Sequence, residues 1–162
     1  MAELTHPGDS QKIELLGRNR LIDELLRADL EVALPIRDRG IDLIAYADFG
    51  EGVQAYASCP IQMKASWTQG FGVDQKYAKF PNLILAYIWN LRDSSLAVTY
   101  AMSYAQACAI AESMDWTQTS SWKRGAYSTS RPTTKLIALL EPYMMTVKAW
   151  RELIVNAQSA PA

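Results

Sequence analysis

The chain has 162 residues, 49% of them hydrophobic and 20% charged, with a formal net charge of −1 at pH 7. That length fits one domain, residues 1–162, large enough to bury a core without staples. The composition is that of an ordinary soluble globular chain, and the net charge gives no sign of general nucleic-acid binding. No apolar stretch approaches the length of a membrane span.

In chain order, residues 1–10 are expected to fray. The opening "MAELTHPGDSQKIE" lacks the basic start and apolar run of a secretory signal. Gln11–Ala28 is expected to be an amphipathic helix, because Ile13, Leu15, Leu16, Leu21, Ile22, Leu25 and Leu26 cluster at helical spacing. Asp9 or Ser10 would cap it, and Gly17 weakens it. "LEVALPI" is a short strand ending near Pro35. Ile41–Tyr46 is the second strand, and "DFGEG" turns the chain. Ile61–Trp67 is the heart of the third strand, with Pro60 just ahead of it. "VDQKYAKF" is short and helical or irregular.

Leu83–Trp89 is continuously apolar, as a strand covered on both faces should be. Leu96–Tyr100 is another strand, and Ser103–Met114 a helix capped by Ser103. Residues 116–132 fit no single pattern. Lys135–Leu140 and Val147–Asn156 are closing helices separated by Pro142, and 157–162 is a frayed end. The order implies an α/β fold, one mixed sheet with helices on both faces.

The chemistry begins with polar residues on strands that otherwise look like core. Alternation puts Gln62 and Lys64 on one face of the third strand, about 6–7 Å apart. Asp42 points away from the Ile41, Leu43 and Ala45 face of the second strand. If the two strands pair as a meander, Asp42, Gln62 and Lys64 share a surface. A carboxylate is a hard ligand suited to Mg²⁺, and a carboxamide oxygen is a weaker, neutral one. A lysine beside them can orient water or offset charge on a phosphate. The trio suits metal-assisted phosphodiester hydrolysis. The alternative is an Asp–Lys salt bridge at a strand edge.

Other chemistries have less to stand on. His6 is the only histidine and lies in the tail, so a serine or cysteine triad lacks its usual base. "GFG" at 70–72 lacks the Lys-Ser/Thr of a phosphate loop. Cys59 and Cys108 have no metal spacing and are expected as buried thiols of a reducing cytoplasm. Residues 116–140 carry Lys123, Arg124, Arg131 and Lys135 and no acid, with Trp116, Trp122 and Tyr127 in or beside the basic run. Such a stretch can hold phosphates and stack bases, or its aromatics can anchor the loop to the core.

The succession of a helix, a strand ending in Pro35, "RGIDLIAY", a turn and "PIQMKAS" resembles the PD-(D/E)XK, or restriction endonuclease-like, nuclease superfamily. The pattern there is an Asp at a strand start, a carboxylate-x-Lys on the next strand, and a Glu on the preceding helix. Asp42 matches the Asp and Lys64 the Lys. Gln62 stands where the second carboxylate is usual, as in certain intron-associated homing endonucleases. "KYAKFPNLILAYIWN" and "SSWKRGAYSTSRP" also resemble bacterial members of that type.

The resemblance implies a restriction endonuclease-like fold and a bacterial-type cytoplasmic DNA endonuclease, with Mg²⁺ (or Mn²⁺) held by Asp42, Gln62 and a helix glutamate, and with Lys64 beside them. Glu14 is preferred to Glu24, since a first-turn carboxylate suits the helix dipole. Ten residues on, Glu24 points about 80° away. Lys76, Lys79, Trp122, Lys123, Arg124, Tyr127 and Arg131 are the expected DNA contacts, and RNA is left open. Two cuts in a duplex imply a homodimer or a higher symmetric assembly. The competing reading is an inactive nucleic-acid-binding or scaffold protein that keeps the fold.

Overall fold

A computed structural model describes residues 9–37, 39–48 and 56–159. Helix α1 spans Ser10–Arg27, and Asp9 caps it by accepting the Lys12 backbone N–H at 2.9 Å. Its packed stripe is narrower than the sequence pattern implies. Gly17, Leu21 and Leu25 are buried, whereas Leu15, Leu16 and Leu26 face outward. A spacing of four residues keeps the buried three on one line along the helix.

The main sheet holds β1 (Glu31–Ala33), β2 (Leu43–Asp48), β3 (Tyr56–Ala65), β5 (Ile84–Trp89) and β6 (Val98–Ser103), in the order β1-β2-β3-β5-β6. Only β3 and β5 run parallel. A parallel pair needs a crossover. Here the connection contains β4 (Phe71–Asp74) and a 3-10 turn over Gln75–Lys79. Every residue of β5 is buried, as its unbroken apolar run requires.

Helix α2 (Tyr104–Ser113) follows β6 through a capping box, in which Ser103 and Gln106 bond each other's backbone N–H. Then come α3 (Ser120–Lys123), β7 (Ala126–Thr129), α4 (Thr134–Leu140) and α5 (Val147–Ser159). Leu43, Ala45, Cys59, Ile61 and Met63 face α1 and α5 on one side of the sheet. Leu85, Tyr87, Trp89 and Met102 face α2, α4 and the β4 strand on the other. No described helix is long and apolar enough to cross a membrane.

Several expectations are corrected. Strand β3 begins at Tyr56 and runs through Pro60, which pairs with Ile44. Pairing to β5 starts only at Ile61, so β3 is still an edge on that side at Pro60, where proline is tolerated. Residues 126–129 form a strand that pairs with 71–74 as a second, two-stranded sheet. Neither piece is long enough to display an alternation pattern by itself. Helix α5 extends to Ser159, beyond the expected Asn156, and Asp9 and Ser10 form the cap and first residue of α1. The glycine- and acid-rich turn after Asp48 and the tail with His6 lie outside the described residues. Cys59 is buried beneath α5 with Sγ 3.7 Å from the Ile154 carbonyl, and Cys108 is half-buried on the opposite side of the sheet.

Candidate active site

The site arises where two strands part. Strands β2 and β3 pair from Asp48 and Tyr56 up to Leu43 and Ile61. Strand β3 then continues against β5 as far as Ala65 and Ile88. Residues 62–65 therefore lose their β2 neighbour, and a gap opens along one side of β3. Asp42, just before β2, occupies its start. Its backbone N–H donates to the Ile61 carbonyl at 2.9 Å. Its Oδ2 accepts the Met63 backbone N–H at 2.6 Å and the Gln62 Nε2 at 2.7 Å. The carboxylate thus stands in for the missing strand partner. Gln62 Nε2 also donates to the Met63 carbonyl at 3.0 Å, which leaves Oε1 as the amide's other arm.

Glu14 reaches the same gap from the first turns of α1. A cleft of about 310 Å³ is lined by Glu14, Asp42 and Gln62, with Ser10, Ile13 and Ala65. Glu14 accepts from Arg18 Nη2 at 2.5 Å and is half-exposed. Glu24 lies elsewhere. It pairs with Arg20 at 2.9 Å and accepts from Thr99 Oγ1 and Trp150 Nε1 at 2.8 and 3.1 Å. Those bonds tie α1 to β6 and α5, a structural duty that sequence spacing did not reveal.

Lys64 lines a neighbouring cleft of about 390 Å³ with Ser66, Asp74, Tyr127 and Ser128, and Ala65 borders both clefts. Burial depresses the Lys64 pKa, and the Lys76 charge adds to this, while Asp74 and Asp42 pull the other way. Its Nζ lies 5.5 Å from the centre of the Tyr77 ring, and Lys76 Nζ lies 5.0 Å from the same ring. Tyr77 is buried, and its ring is the platform for both ammonium groups. Among the described residues Lys64 forms no salt bridge with Asp42, so the strand-edge ion pair is not the arrangement found.

Asp74 was not anticipated. It accepts the Lys76 backbone N–H at 3.0 Å and pairs with Lys76 Nζ at 3.2 Å. The only sequence signal was an Asp two residues before a Lys, too common to single out.

Of the expected DNA contacts, Lys76, Lys79, Lys123, Arg124 and Arg131 are exposed. Lys79 Nζ rests over the Phe80 ring at 5.1 Å. The aromatics are engaged inward. Tyr127 stacks on buried Trp116 with ring centres 4.4 Å apart, and half-buried Trp122 packs against the α2 side of the core. Lys135 donates to the Ser113 carbonyl at the end of α2 and acts as a helix cap.

Among the described residues, no group of three or more His, Cys, Asp and Glu side chains is arranged to hold a metal ion. The donor set in the first cleft is two carboxylates and an amide. Mg²⁺ is commonly held by one or two carboxylates with waters and phosphate oxygens completing its shell, so this set suits it.

A five-stranded mixed sheet with helices on both faces, and its polar cleft where β2 leaves β3, define a restriction endonuclease-like α/β fold. No family model and no curated protein matches the chain by sequence. Among solved structures it is similar to a bacterial homing endonuclease, I-Ssp6803I, with a TM-score of 0.51 and 12% identity over 94% of this chain and 97% of that one.

Proposed function

We propose that this chain is a metal-dependent DNA endonuclease of the PD-(D/E)XK type that hydrolyses phosphodiester bonds. The observation that carries the reading is the convergence of Glu14, Asp42 and Gln62 on one cleft, with Lys64 in the adjoining one. The fold shared with a homing endonuclease supports it.

Asp42 and Glu14 would hold Mg²⁺ or Mn²⁺, with Gln62 turning its Oε1 inward. The bound ion would polarise the phosphate and lower the pKa of a coordinated water. The chain's own part is positional. Asp42 is locked by its bond to the Met63 N–H, so it needs little rearrangement to act. Lys64, half-buried, with the Asp74 and Asp42 charges opposing the effect of burial on its ammonium group, offsets charge on the non-bridging phosphate oxygens and orients water. Water gives up a proton to solvent as its oxygen bonds to phosphorus, the P–O bond to the sugar breaks, and the leaving oxygen takes a proton from solvent. Exposed Lys76, Lys79, Lys123, Arg124 and Arg131 hold flanking phosphates. Two cuts per duplex call for a homodimer or larger symmetric assembly.

The direct test is plasmid incubation with and without Mg²⁺ or Mn²⁺, beside Lys64→Ala and Asp42→Asn. Metal-dependent cutting lost in both variants is expected. Cutting that persists in Lys64→Ala assigns the activity to a contaminant.

One observation favours a second reading. Gln62 satisfies Asp42 with an N–H where a second carboxylate is usual. A nucleic-acid-binding or scaffold protein that has lost its metal would look the same. Salt-dependent DNA binding with no cutting under any metal is its signature.

A further inference from the structure

Arg18 lies one turn after Glu14 on α1. Its Nη2 donates to Glu14 at 2.5 Å. Its side chain is 27% exposed, against 51% for Glu14. Its Nε is buried and has no hydrogen-bond partner among the described residues. Buried donors are normally satisfied, so an orphan one marks a place where something else can bind or move. A guanidinium cannot shed its proton to relieve burial, so its compensation must come from anions.

The geometry places two near it. Glu14 is bonded to it, and Asp42 lines the same small cavity of about 110 Å³ as Arg18, between Leu34, Pro35 and Ile41. Asp42 and Glu14 also line the larger cleft with Gln62. Arg18 therefore pairs with Glu14 and shares a cavity with Asp42.

We infer that Arg18 is the resident counterion of the Glu14–Asp42 pair and competes with the divalent ion for Glu14. This rests on the metal-site reading proposed above. A cation entering the cleft takes up the Glu14 oxygen that now accepts from Arg18, so its binding includes the work of breaking that pair. The site is thereby held together without an ion, at the expense of ion affinity. Once released, the guanidinium has its full donor fork available for a phosphate oxygen. Arg18 is a positioning residue in this account, since it acts on the ion through Glu14.

The test is calorimetric titration of Mn²⁺ into the full chain without DNA, for wild type, Arg18→Met, Glu14→Gln and the double variant. Thermal melts confirm that each is folded, and Arg18→Gln serves if Arg18→Met is not. Removing the guanidinium should tighten Mn²⁺ by roughly three- to tenfold, the scale of a half-exposed charged pair. In the Glu14→Gln background the same change should do little, because the competition is for Glu14. Unchanged or weaker binding in Arg18→Met, with wild type binding normally, overturns the inference and leaves the metal site standing. No Mn²⁺ binding in any variant overturns both.

Discussion

A Cβ added to Gly17 on α1 would stand 2.6 Å from the Cβ of Ala65 on β3 and 3.2 Å from the Met63 sulfur. Helix and strand are therefore in backbone-close contact at Met63 and Ala65, one and three residues past Gln62. Glycine there is disfavoured by helix propensity, by about 1 kcal/mol against alanine. The close approach explains its presence, since it lets Glu14, three residues earlier, share a cleft with Asp42. Gly17→Ala should push α1 outward, lowering stability by about 1–3 kcal/mol despite the better helix former. Cleavage should fall further than stability does. A variant as stable and active as wild type would show the contact to be unimportant.

Asp42 has two jobs that substitutions can separate. It terminates the β2–β3 ladder at Met63, and it supplies charge to the cleft. Asp42→Ala leaves the Met63 N–H without its acceptor and should cost about 1–3 kcal/mol in urea unfolding. Asp42→Asn keeps an acceptor and should lose less than half as much. Both should abolish metal-dependent cutting. Equal stabilities for the two variants would contradict the strand-capping role.

Gln62→Glu replaces the N–H bonded to Asp42 with a second negative charge. The metal-free protein should lose stability, because two carboxylates at hydrogen-bond distance repel. Mg²⁺ should more than restore it, by about 2.7 kcal/mol at a hundredfold excess over Kd. Melting in EDTA and in Mg²⁺ measures both halves. A Mg²⁺ response no larger than that of wild type means that residue 62 does not face the ion.

Lys64 pays for its position in stability. Burial, its largest influence, lowers its pKa, so the folded surroundings disfavour the charged form even with Asp74 and Asp42 nearby. Lys64→Met should therefore raise stability, by up to about 1 kcal/mol, while eliminating cleavage. A less stable Lys64→Met protein would show that its contacts outweigh the buried charge.

Asp74 should shape the acid side of the stability profile. Burial works to raise its pKa, but the Lys76 backbone and side chain outweigh this and hold it below 3.8. A lowered folded pKa contributes stability that is complete above 3.8 and disappears as pH falls through the folded value. Asp74→Asn should flatten that part of the acid limb. The readout is urea unfolding between about pH 2 and pH 5, where parallel curves for the two proteins would exclude the effect.

How much of this could be read from residues alone varied with the length of the pattern. The six-residue apolar run of β5 and the Ser103 cap of α2 are local, and both were legible. Strand β7 was not, because four residues alternating exposed and half-buried on a two-stranded sheet leave almost no periodic trace. The Asp42–Gln62 meeting could be anticipated from strand parity, but the bonds of Asp42 to Met63 and of Glu24 to Thr99 and Trp150 could not. Parity sets which way a side chain points, whereas register and helix placement set what it meets.

By itself the sequence determined the longer helices and the strands of the main sheet, the buried and open faces of those strands, and the residue types able to hold an ion beside a phosphate. Side-chain periodicity and donor chemistry are properties of short segments, so they survive without a fold. Only the tertiary structure decided that β2 leaves β3 after Ile61, that α1 closes in at Gly17, and that Glu14 rather than Glu24 joins Asp42. Those outcomes depend on packing between segments distant in sequence, which local patterning does not encode.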